Sequence, residues 1–559
     1  MSGAELRWRS LTARVLSRAA AQGERPSITW VRDGGVHSLS GRELDEHVRA
    51  LLLGLDGLGL EKGERIGILS PNRWEWVLID LAATGRGLAV VSIDPAWSDN
   101  LVVRILDHAR VRCVFVESAA SARRLEGLAD RLPHVRAIAS IEDDLTALVA
   151  RGRESLATNP ARVEQLLAAV QPDDIATVIH TGGSTGEPKG VLRSHGNAVS
   201  EGWALFPWRD DLADPTPGDE ATVFDPLSFC HSAGRWWCHM TLAVRGILAL
   251  PSGDALDLAE LELLRPTRIV GVPRVVLQLQ KLLMPHVQEQ WTELENLAPG
   301  DAARPALAAA FAARVRSLVG GRLQCIFWGG GPLASALIAF FQTAGIRMIS
   351  GYGGTEIGII SMRAIDSPPA TVGKPVGAAV RIEAGEILVR GPAVSPGYLD
   401  NPKATALAQA ADGWWRSGDL GRLDEAGNLV IVGRVRAMFT CSEGTNIDPS
   451  ELEQLLEADP YVSQAILLGH NRPHLAALIS PDRERLSAAG VVDAAALIAE
   501  RLALINRGLE EFERIRAFRL IEGTFSEGIR QITVAKKIRV DRQAVERVYA
   551  DEIAAMYRA

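Results

Sequence analysis

The sequence lacks the features that mark secreted, membrane-spanning or nucleic-acid-binding proteins. Its five cysteines are Cys113, Cys230, Cys238, Cys325 and Cys441. They are scattered without a C-x-x-C pair, which indicates reduced thiols and neither a disulfide framework nor a zinc site. The most apolar stretches are far shorter than the ~20 residues of a membrane span, and a formal net charge of −8 argues against a basic surface that holds nucleic acid. We therefore expect a cytoplasmic protein without a membrane span.

What the chain has is an alternation of apolar strands and amphipathic helices. The strand Arg65–Ser70, the helix Trp74–Ala83 and the strand Leu88–Ile93 form the clearest such unit. This rhythm predicts α/β layers with parallel strands. A chain of 559 residues also exceeds a single core, so two or more domains are expected.

The pattern changes character near Gly433. The turn sequence Asp424–Asn428 precedes a predicted strand, and beyond Arg434 the segments become short strands and helices, among them a predicted helix over Pro449–Glu457. We therefore predict a large multi-layer α/β domain over residues 1–433 and a small domain over residues 434–559.

The segment Thr181–Gly190 is the most informative in the chain. It holds four glycines, three small hydroxyl residues and Lys189 directly after the apolar run Ala176–His180. Such a loop brings backbone N–H groups, hydroxyls and a cation close to a polyphosphate, so ATP or a similar anion is the first hypothesis. It is not the common P-loop, because the lysine follows a proline and no Ser or Thr comes after it. The alternative is a polar surface loop.

Two further glycine clusters follow predicted strands. Gly329–Gly331 ends one strand, and the strand Arg347–Ser350 breaks into a glycine loop that carries Thr355 and Glu356. A threonine hydroxyl donates to phosphate, and a glutamate holds the Mg²⁺ that neutralises it. The alternatives are a tight turn and a solvated glutamate.

These segments together resemble the adenylate-forming superfamily of acyl-CoA synthetases, aryl-CoA ligases and related enzymes. The loop at Thr181–Gly190 is similar to the family's signature loop, with Gly182 where Ser or Thr is usual, and Tyr352–Glu356 matches its Tyr-Gly-x-Thr-Glu motif. The remaining motifs follow in the family's order: Asp419, Gly433-Arg434, the set Gly444, Asn446, Pro449 and Glu451, and Thr533–Arg539.

The resemblance implies that a carboxylate attacks the α-phosphate of ATP and that a nucleophile then displaces AMP from the acyl adenylate. It implies a catalytic group of Lys537, Thr355, Glu356 and His231, with Glu356 also holding Mg²⁺ and Lys536 as the fallback for the lysine. It implies ATP binding by Thr181, Gly182, Gly183, Ser184, Thr185, Gly186, Lys189, Gly329, Gly330, Gly331, Tyr352, Gly353, Asp419 and Arg434. The expected fold is the family's large α/β domain with a small mobile C-terminal domain.

The acid itself stays open. The segment Asp225–Gly234 resembles the family's border of the carboxylate pocket, which places His231 near the acid, although a hydrogen-bonded core histidine is the alternative. Bulky Trp236, Trp237 and Trp328 favour a compact or cyclic acid if they line the pocket, and otherwise are core. Against a short pocket, the segment from Gly469 to Ile479 looks like the long-chain branch.

The acceptor is also open. Arg436 and Ala437 depart from the family's hinge, and Glu443 replaces a common glycine in the region that lines the CoA tunnel. The leading hypothesis is an acyl- or aryl-CoA synthetase that uses ATP, Mg²⁺ and CoA. The alternatives are a ligase with a carrier-protein thiol, an amine or a partner enzyme as acceptor, a ligase for an unusual acid such as nitrite, and a catalytically silent nucleotide-binding protein.

Overall fold

The computed structural model describes residues 10–181, 189–201, 221–244, 246–253, 255–298, 300–363, 368, 371–435, 439–440, 446–447, 449–469, 472, 474–509, 513–523, 525, 530–532, 538–540 and 542–557. The helices are α1 Leu11–Gln22, α2 Gly41–Asp56, α3 Trp74–Arg86, α4 Asp99–His108, α5 Ala119–Glu126, α6 Leu145–Thr158, α7 Ala161–Ala169, α8 His195–Glu201, α9 Ser232–Ala243, α10 Leu258–Leu264, α11 Pro273–Asn296, α12 Arg304–Leu318, α13 Ser335–Thr343, α14 Pro402–Ala408, α15 Pro449–Glu457, α16 Arg483–Ala488, α17 Ala494–Arg507, α18 Arg542–Val548 and α19 Ala550–Met556. The strands are β1 Pro26–Arg32, β2 Gly35–Ser40, β3 Arg65–Leu69, β4 Ala89–Ile93, β5 Cys113–Val116, β6 Ala137–Ser140, β7 Ile175–Thr181, β8 Lys189–Ser194, β9 Thr222–Phe224, β10 Ile247–Leu250, β11 Arg268–Gly271, β12 Cys325–Gly329, β13 Arg347–Gly354, β14 Gly358–Met362, β15 Ala379–Glu383, β16 Glu386–Arg390, β17 Trp415–Leu423, β18 Leu429–Arg434, β19 Phe439–Thr440, β20 Asn446–Ile447, β21 Val462–Leu468, β22 Leu475–Pro481, β23 Ile515–Leu520, β24 Arg530–Ile532 and β25 Ile538–Val540.

A first sheet of six strands has the order β6-β5-β3-β4-β7-β8. Its neighbours pair in parallel except β7 and β8, which are antiparallel. β4 and β5 are buried along their whole length, and β3 is buried beyond its first residue, as expected for parallel strands that share a core with helices. The predicted strand–helix–strand unit is thus confirmed as β3-α3-β4.

A second sheet of eight strands has the order β14-β13-β12-β11-β9-β10-β1-β2. β9, β11, β12 and β13 run parallel, so their carboxyl ends lie at one edge. Ligands of open α/β sheets bind beyond that edge. The mixed α/β fold class with several sheets and a C-terminal domain is confirmed.

The segment around Thr355 and Glu356 differs from the expectation of a loop after a short strand. β13 continues through the glycines to Gly354 and pairs with β14, with an irregularity between Tyr352 and Gly353. A side chain at Gly353 would place its Cβ 2.8 Å from the Cα of Ile359, so the glycine permits the close approach of the partner strand. The glycines therefore build a tight hairpin whose turn carries Thr355 and Glu356.

The chain divides into two compact units, one of residues 1–381, 388–417 and 424–429, the other of residues 382–387, 418–423 and 430–559. In the second unit, β21, β22 and β23 form a sheet with a core on each face. Leu467 packs with α15 and α17, whereas Ile466 packs with α18 and α19, because successive strand residues point to opposite faces. The helix predicted over Pro449–Glu457 is confirmed as α15. None of the helices described above combines the length and hydrophobicity that crossing a bilayer requires.

Candidate active site

The glycine-rich loop is held at its base by the antiparallel pair β7 and β8. Thr181, the last residue of β7, lies opposite Lys189, the first residue of β8. The predicted phosphate-binding residues Gly182, Gly183, Ser184, Thr185 and Gly186 lie outside the described residues. The two paired strands therefore hold both ends of the loop, including Lys189, next to each other in the first unit.

Lys189 and Glu356 meet through a tyrosine that the sequence patterns did not single out. The Nζ atom of Lys189 lies 5.0 Å from the centroid of the Tyr398 ring, and the Tyr398 hydroxyl donates to Glu356 Oε1 at 3.0 Å. All three side chains are partly exposed. The structure therefore joins two predicted phosphate-handling residues that are 167 positions apart in sequence.

The segment around Tyr398 is fixed to both neighbours by backbone hydrogen bonds. Ser395 N donates to Glu356 O at 2.7 Å, and Leu399 N donates to Gly190 O at 2.7 Å. The Ser395 hydroxyl donates to Leu192 O, also at 2.7 Å. Since the segment bonds to β8 on one side and to the hairpin turn on the other, it fixes the distance between them. Ser395-Pro396-Gly397 is a turn-type sequence that offered a signal for this segment.

A buried ion pair lies next to the same junction, between β8 and α8. Arg193 of β8 and Glu201 of α8 are 4% and 8% exposed, with Nη2 and Oε1 2.7 Å apart. Glu201 Oε1 lies close to Gly358, which begins β14. Burial raises the pKa of Glu201 although Arg193 acts against it.

Thr355 contacts the segment that borders the predicted acid pocket. Its Oγ1 lies 3.0 Å from Ser232 Oγ, a hydrogen bond in which either hydroxyl donates. Ser232 begins α9, and His231 directly before it donates its backbone N–H to Ser228 O at 3.0 Å. The segment Asp225–Gly234, called the acid-side segment below, is therefore adjacent to the turn that carries Thr355 and Glu356. Ser232 is a second contact that the sequence patterns missed.

The glycine triplet lies at the carboxyl edge of the second sheet. Gly329 ends β12 and pairs with Gly351 of β13, next to the buried Tyr352. Gly330 has φ +78°, a conformation that glycine adopts without strain. Gly329 thus ends the strand next to the one that leads to Tyr352 and Gly353, and Gly330 and Gly331 follow it directly.

His180, directly before Thr181, is a neutral group beneath the loop. Burial lowers its pKa to about 3, and His108 adds to the effect, with its Nδ1 3.3 Å from His180 Nε2. His180 therefore supplies no positive charge at neutral pH, and among the described residues of the loop's base the cation is Lys189.

Asp419 and Arg434 belong to the second unit. Asp419 is buried in β17, directly after Gly418, whose φ is +75°. Arg434 ends β18. Asn446 is in β20, and Pro449 and Glu451 are in α15. The predicted catalytic Lys537, the fallback Lys536 and the departures Arg436, Ala437, Glu443 and Gly444 lie outside the described residues.

The three tryptophans pack in cores. Trp236, Trp237 and Trp328 are 5%, 8% and 6% exposed, and the Trp237 ring lies 4.8 Å from that of Phe327. Cys230 is also buried. The structure favours the core alternative for these rings, so they give no reason to expect a compact acid.

Comparison with known proteins gives a family match along most of the chain. Residues 16–399 match the AMP-binding enzyme family, and residues 437–559 match the AMP-binding enzyme C-terminal domain.

Two curated relatives from Mycobacterium tuberculosis illustrate the range of similarity. Long-chain-fatty-acid–CoA ligase FadD15 is 31% identical over an alignment that covers 94% of this chain and 93% of its own length. The 3-[(3aS,4S,7aS)-7a-methyl-1,5-dioxo-octahydro-1H-inden-4-yl]propanoyl:CoA ligase is 32% identical, covering 76% of this chain and 80% of its own length. Among solved structures, the adenylation domain of a carboxylate reductase from Mycobacterium chelonae shares the fold, with a TM-score of 0.77, 20% identity and coverage of 98% of this chain and 91% of that chain.

Proposed function

Because this chain belongs to the AMP-binding enzyme family, we propose that it is an AMP-forming acyl-CoA synthetase. The observation that carries the proposal is the junction of Lys189, Tyr398 and Glu356 with Thr355 and Ser232. It places a cation, a carboxylate and hydroxyls at the base of the glycine-rich loop and beside the acid-side segment. These are the groups that bind a polyphosphate and orient an attacking carboxylate.

In the first step, a carboxylate oxygen of the acid attacks the α-phosphorus of ATP. The bond from that phosphorus to the bridging oxygen breaks, and pyrophosphate leaves as the acyl adenylate forms. Lys189 and the loop from Thr181 to Gly186 bind the phosphates, and Thr355 donates to them. Tyr352, Gly353 and Gly329–Gly331 border the nucleotide, and His231 borders the acid.

Glu356 fits a role as the Mg²⁺ ligand. A carboxylate offers about four acceptor sites, so the bond from Tyr398 to Oε1 leaves capacity for a metal. Bound Mg²⁺ neutralises phosphate charge. In this proposal Tyr398 holds the carboxylate toward the phosphates.

Three further residues complete the proposed set. We propose that Asp419 accepts hydrogen bonds from the ribose hydroxyls, that Arg434 contacts the nucleotide, and that Lys537 neutralises charge on the carboxylate and α-phosphate. The organisation into residues 1–433 and 434–559 is part of the same proposal. In the second step the CoA thiolate attacks the acyl carbon, AMP leaves, and the thioester forms.

The acid we expect is a long-chain fatty acid. The relative named for that substrate class aligns with 94% of this chain, whereas the relative named for a ring-bearing propanoate aligns with 76%. A cytoplasmic location, expected from the scattered cysteines, stays a prediction.

The test is pyrophosphate release by the purified full-length chain with ATP, Mg²⁺ and a panel of aliphatic, cyclic and aromatic acids. We expect release with long-chain acids and an acyl-CoA thioester, seen by mass spectrometry, once CoA is added. Acyl-AMP that persists without a thioester would contradict CoA as acceptor and favour a carrier thiol, an amine or a partner enzyme. Release with nitrite alone would contradict the carboxylic acid, and no release with any acid would favour a silent nucleotide-binding protein.

The neighbouring lysines provide a matched pair for the catalytic role. Lys537→Ala should lower pyrophosphate release by about 10²–10³-fold, as loss of a key electrostatic group does. Lys536→Ala removes the same charge one position away and should retain most of the activity. The reverse order would assign the role to Lys536, and near-normal rates for both variants would contradict it.

A further inference from the structure

The core of the first unit contains a buried ionic cluster that no step above uses. Asp80 of α3 is fully buried, and Arg235 and His239 of α9 are 3% and 5% exposed. Arg235 Nη2 donates to Asp80 Oδ1, and Arg235 Nε donates to Asp80 Oδ2 at 3.2 Å. His239 Nε2 lies 2.6 Å from the same Oδ2, and it donates because a carboxylate only accepts.

The cluster carries a balanced charge. Burial alone would raise the pKa of Asp80, but Arg235 and His239 outweigh it and hold that pKa below its ordinary value. Burial lowers the pKa of His239 in spite of Asp80. At neutral pH the cluster is therefore one carboxylate, one guanidinium and one neutral imidazole, the arrangement in which a buried charge keeps its partner.

Arg235 also reaches the strand that leads to the glycine-rich loop. Its Nη1 donates to the hydroxyl of Thr177 in β7, four residues before Thr181. The Thr177 hydroxyl in turn donates to Val90 O of β4 at 2.8 Å. One guanidinium thus bonds to both α3 and β7 from its place on α9.

The other end of the link is the acid-side segment. Arg235 lies one helical turn after His231, and its backbone N–H donates to His231 O at 3.1 Å. Ser232, in the same turn, bonds to Thr355. A shift of this turn along the helix axis would move Ser232, and with it the contact to Thr355, relative to β7. The rigid donor fork of Arg235 opposes such a shift, because it bonds to both Asp80 and Thr177.

We propose that Arg235 is a positioning residue, which sets the register between the strand entering the glycine-rich loop and the helix that begins beside His231. This inference rests on the proposed function. The aligned groups are the phosphate-binding loop on one side and the acid-binding turn on the other. Small displacements between reacting groups cost large factors in rate.

Thr177 gives the sharpest test, since Thr177→Val removes the hydroxyl while Asp80 still neutralises Arg235. The control is Thr267→Val, which removes another buried hydroxyl that accepts from Thr222 N at 3.0 Å and donates to Thr222 O at 3.2 Å. Thr177→Ser keeps the hydroxyl and serves as the rescue. If Thr177→Val does not fold, Thr177→Ala removes the same hydroxyl with less bulk.

The measurements are kcat and the KM values for ATP and for dodecanoate, with the melting temperature of each variant. Thr177→Val should lower kcat/KM for the acid about 10-fold, through a lower kcat as well as a higher KM. Thr177→Ser and Thr267→Val should stay within about 2-fold of the wild type. A melting temperature that falls equally in both valine variants, with kcat and both KM values unchanged, would overturn the proposal.

Amide hydrogen exchange separates this result from failure of the proposed function. Thr177→Val should increase exchange in peptides that cover residues 228–236, and Thr267→Val should not, whether or not the wild type turns over any acid. An inert wild type with this exchange difference would contradict the synthetase and retain the positioning link. Equal exchange in the two variants would remove the link, whatever the activity.

Discussion

Two charged clusters flank the glycine-rich segment, and they are built in opposite ways. The cluster of Lys189, Tyr398 and Glu356 is partly exposed and joined by one ring contact and one hydrogen bond. The cluster of Asp80 and Arg235 is buried, with both oxygens of the carboxylate bonded to the guanidinium. The first keeps acceptor and donor capacity for a ligand, whereas the second has used its capacity within the protein.

The difference indicates a division of work. An exposed cation on an aromatic face contributes about 0.5–1 kcal/mol, so this contact is weak enough for Lys189 to leave it for a phosphate, as the proposed function requires. A buried carboxylate that loses its partner costs several kcal/mol, so Asp80 and Arg235 keep one arrangement throughout a reaction. The groups proposed to bind the ligand thus lie near solvent, whereas the buried ion pair of Asp80 and Arg235 fixes the secondary structure beneath them.

The largest effect is expected when the buried cluster is broken. Arg235→Gln leaves Asp80 as a buried charge without its main partner and should lower the free energy of unfolding by about 3–5 kcal/mol, measured by urea denaturation. The matched control is Arg42→Gln, because Arg42 also pairs with carboxylates, those of Glu24 and Glu46, but on the surface. The control should lose far less unfolding free energy than Arg235→Gln, because solvent screens surface ion pairs. Similar losses for the two variants would contradict the contrast between the clusters.

In the exposed cluster the expected loss is in rate. Glu356→Gln keeps the hydrogen bond from Tyr398 but removes the charge that a metal ligand needs, so pyrophosphate release should fall about 10²–10³-fold. Its urea midpoint should stay near that of the wild type, since the side chain is partly exposed. Glu75→Gln, which removes a partly exposed carboxylate paired with Arg73, controls for loss of charge elsewhere. A Glu356→Gln variant that keeps its rate but loses stability would make Glu356 structural.

The two clusters also differ in how far sequence predicts them. Lys189, Thr355 and Glu356 lie in or next to glycine-rich segments whose composition disfavours helix and strand interiors, so local pattern indicated a ligand site. Asp80 and Arg235 lie in helices whose apolar spacing predicts only burial, and their pairing depends on how α3 packs against α9. The same limit applies to Ser232 and Tyr398, whose partners are 123 and 42 residues away. The hairpin of β13 and β14 was missed because glycine predicts a break unless a partner strand approaches closely.

His180 provides a third environment, a buried ionisable group that has no counter-charge among the residues that the structure describes. Its pKa of about 3 lies below the ordinary 6.5, so the unfolded chain binds a proton that the folded chain does not. Stability is therefore full above pH 6.5 and is lost as the pH falls toward 3. Between pH 7 and pH 5 the wild type should lose about 2 kcal/mol more unfolding free energy than His180→Gln, measured in urea. His134→Gln, at a surface histidine, should follow the wild type, and equal pH dependence in His180→Gln would contradict the buried neutral state.

The smallest effect is expected when one hydrogen bond within the partly exposed cluster of Lys189, Tyr398 and Glu356 is removed. Tyr398→Phe keeps the ring beneath Lys189 and removes the hydroxyl that holds Glu356 Oε1. A hydrogen bond to a charged acceptor contributes about 1.5–3 kcal/mol when buried, and partial exposure reduces this to about 1 kcal/mol, so release should fall about 5-fold. The Mg²⁺ concentration for half-maximal rate should rise, because the carboxylate is less well oriented. Tyr398→Leu removes the ring as well and should add a rise in KM for ATP. If the two variants behave alike, the ring contact with Lys189 contributes nothing to ATP binding.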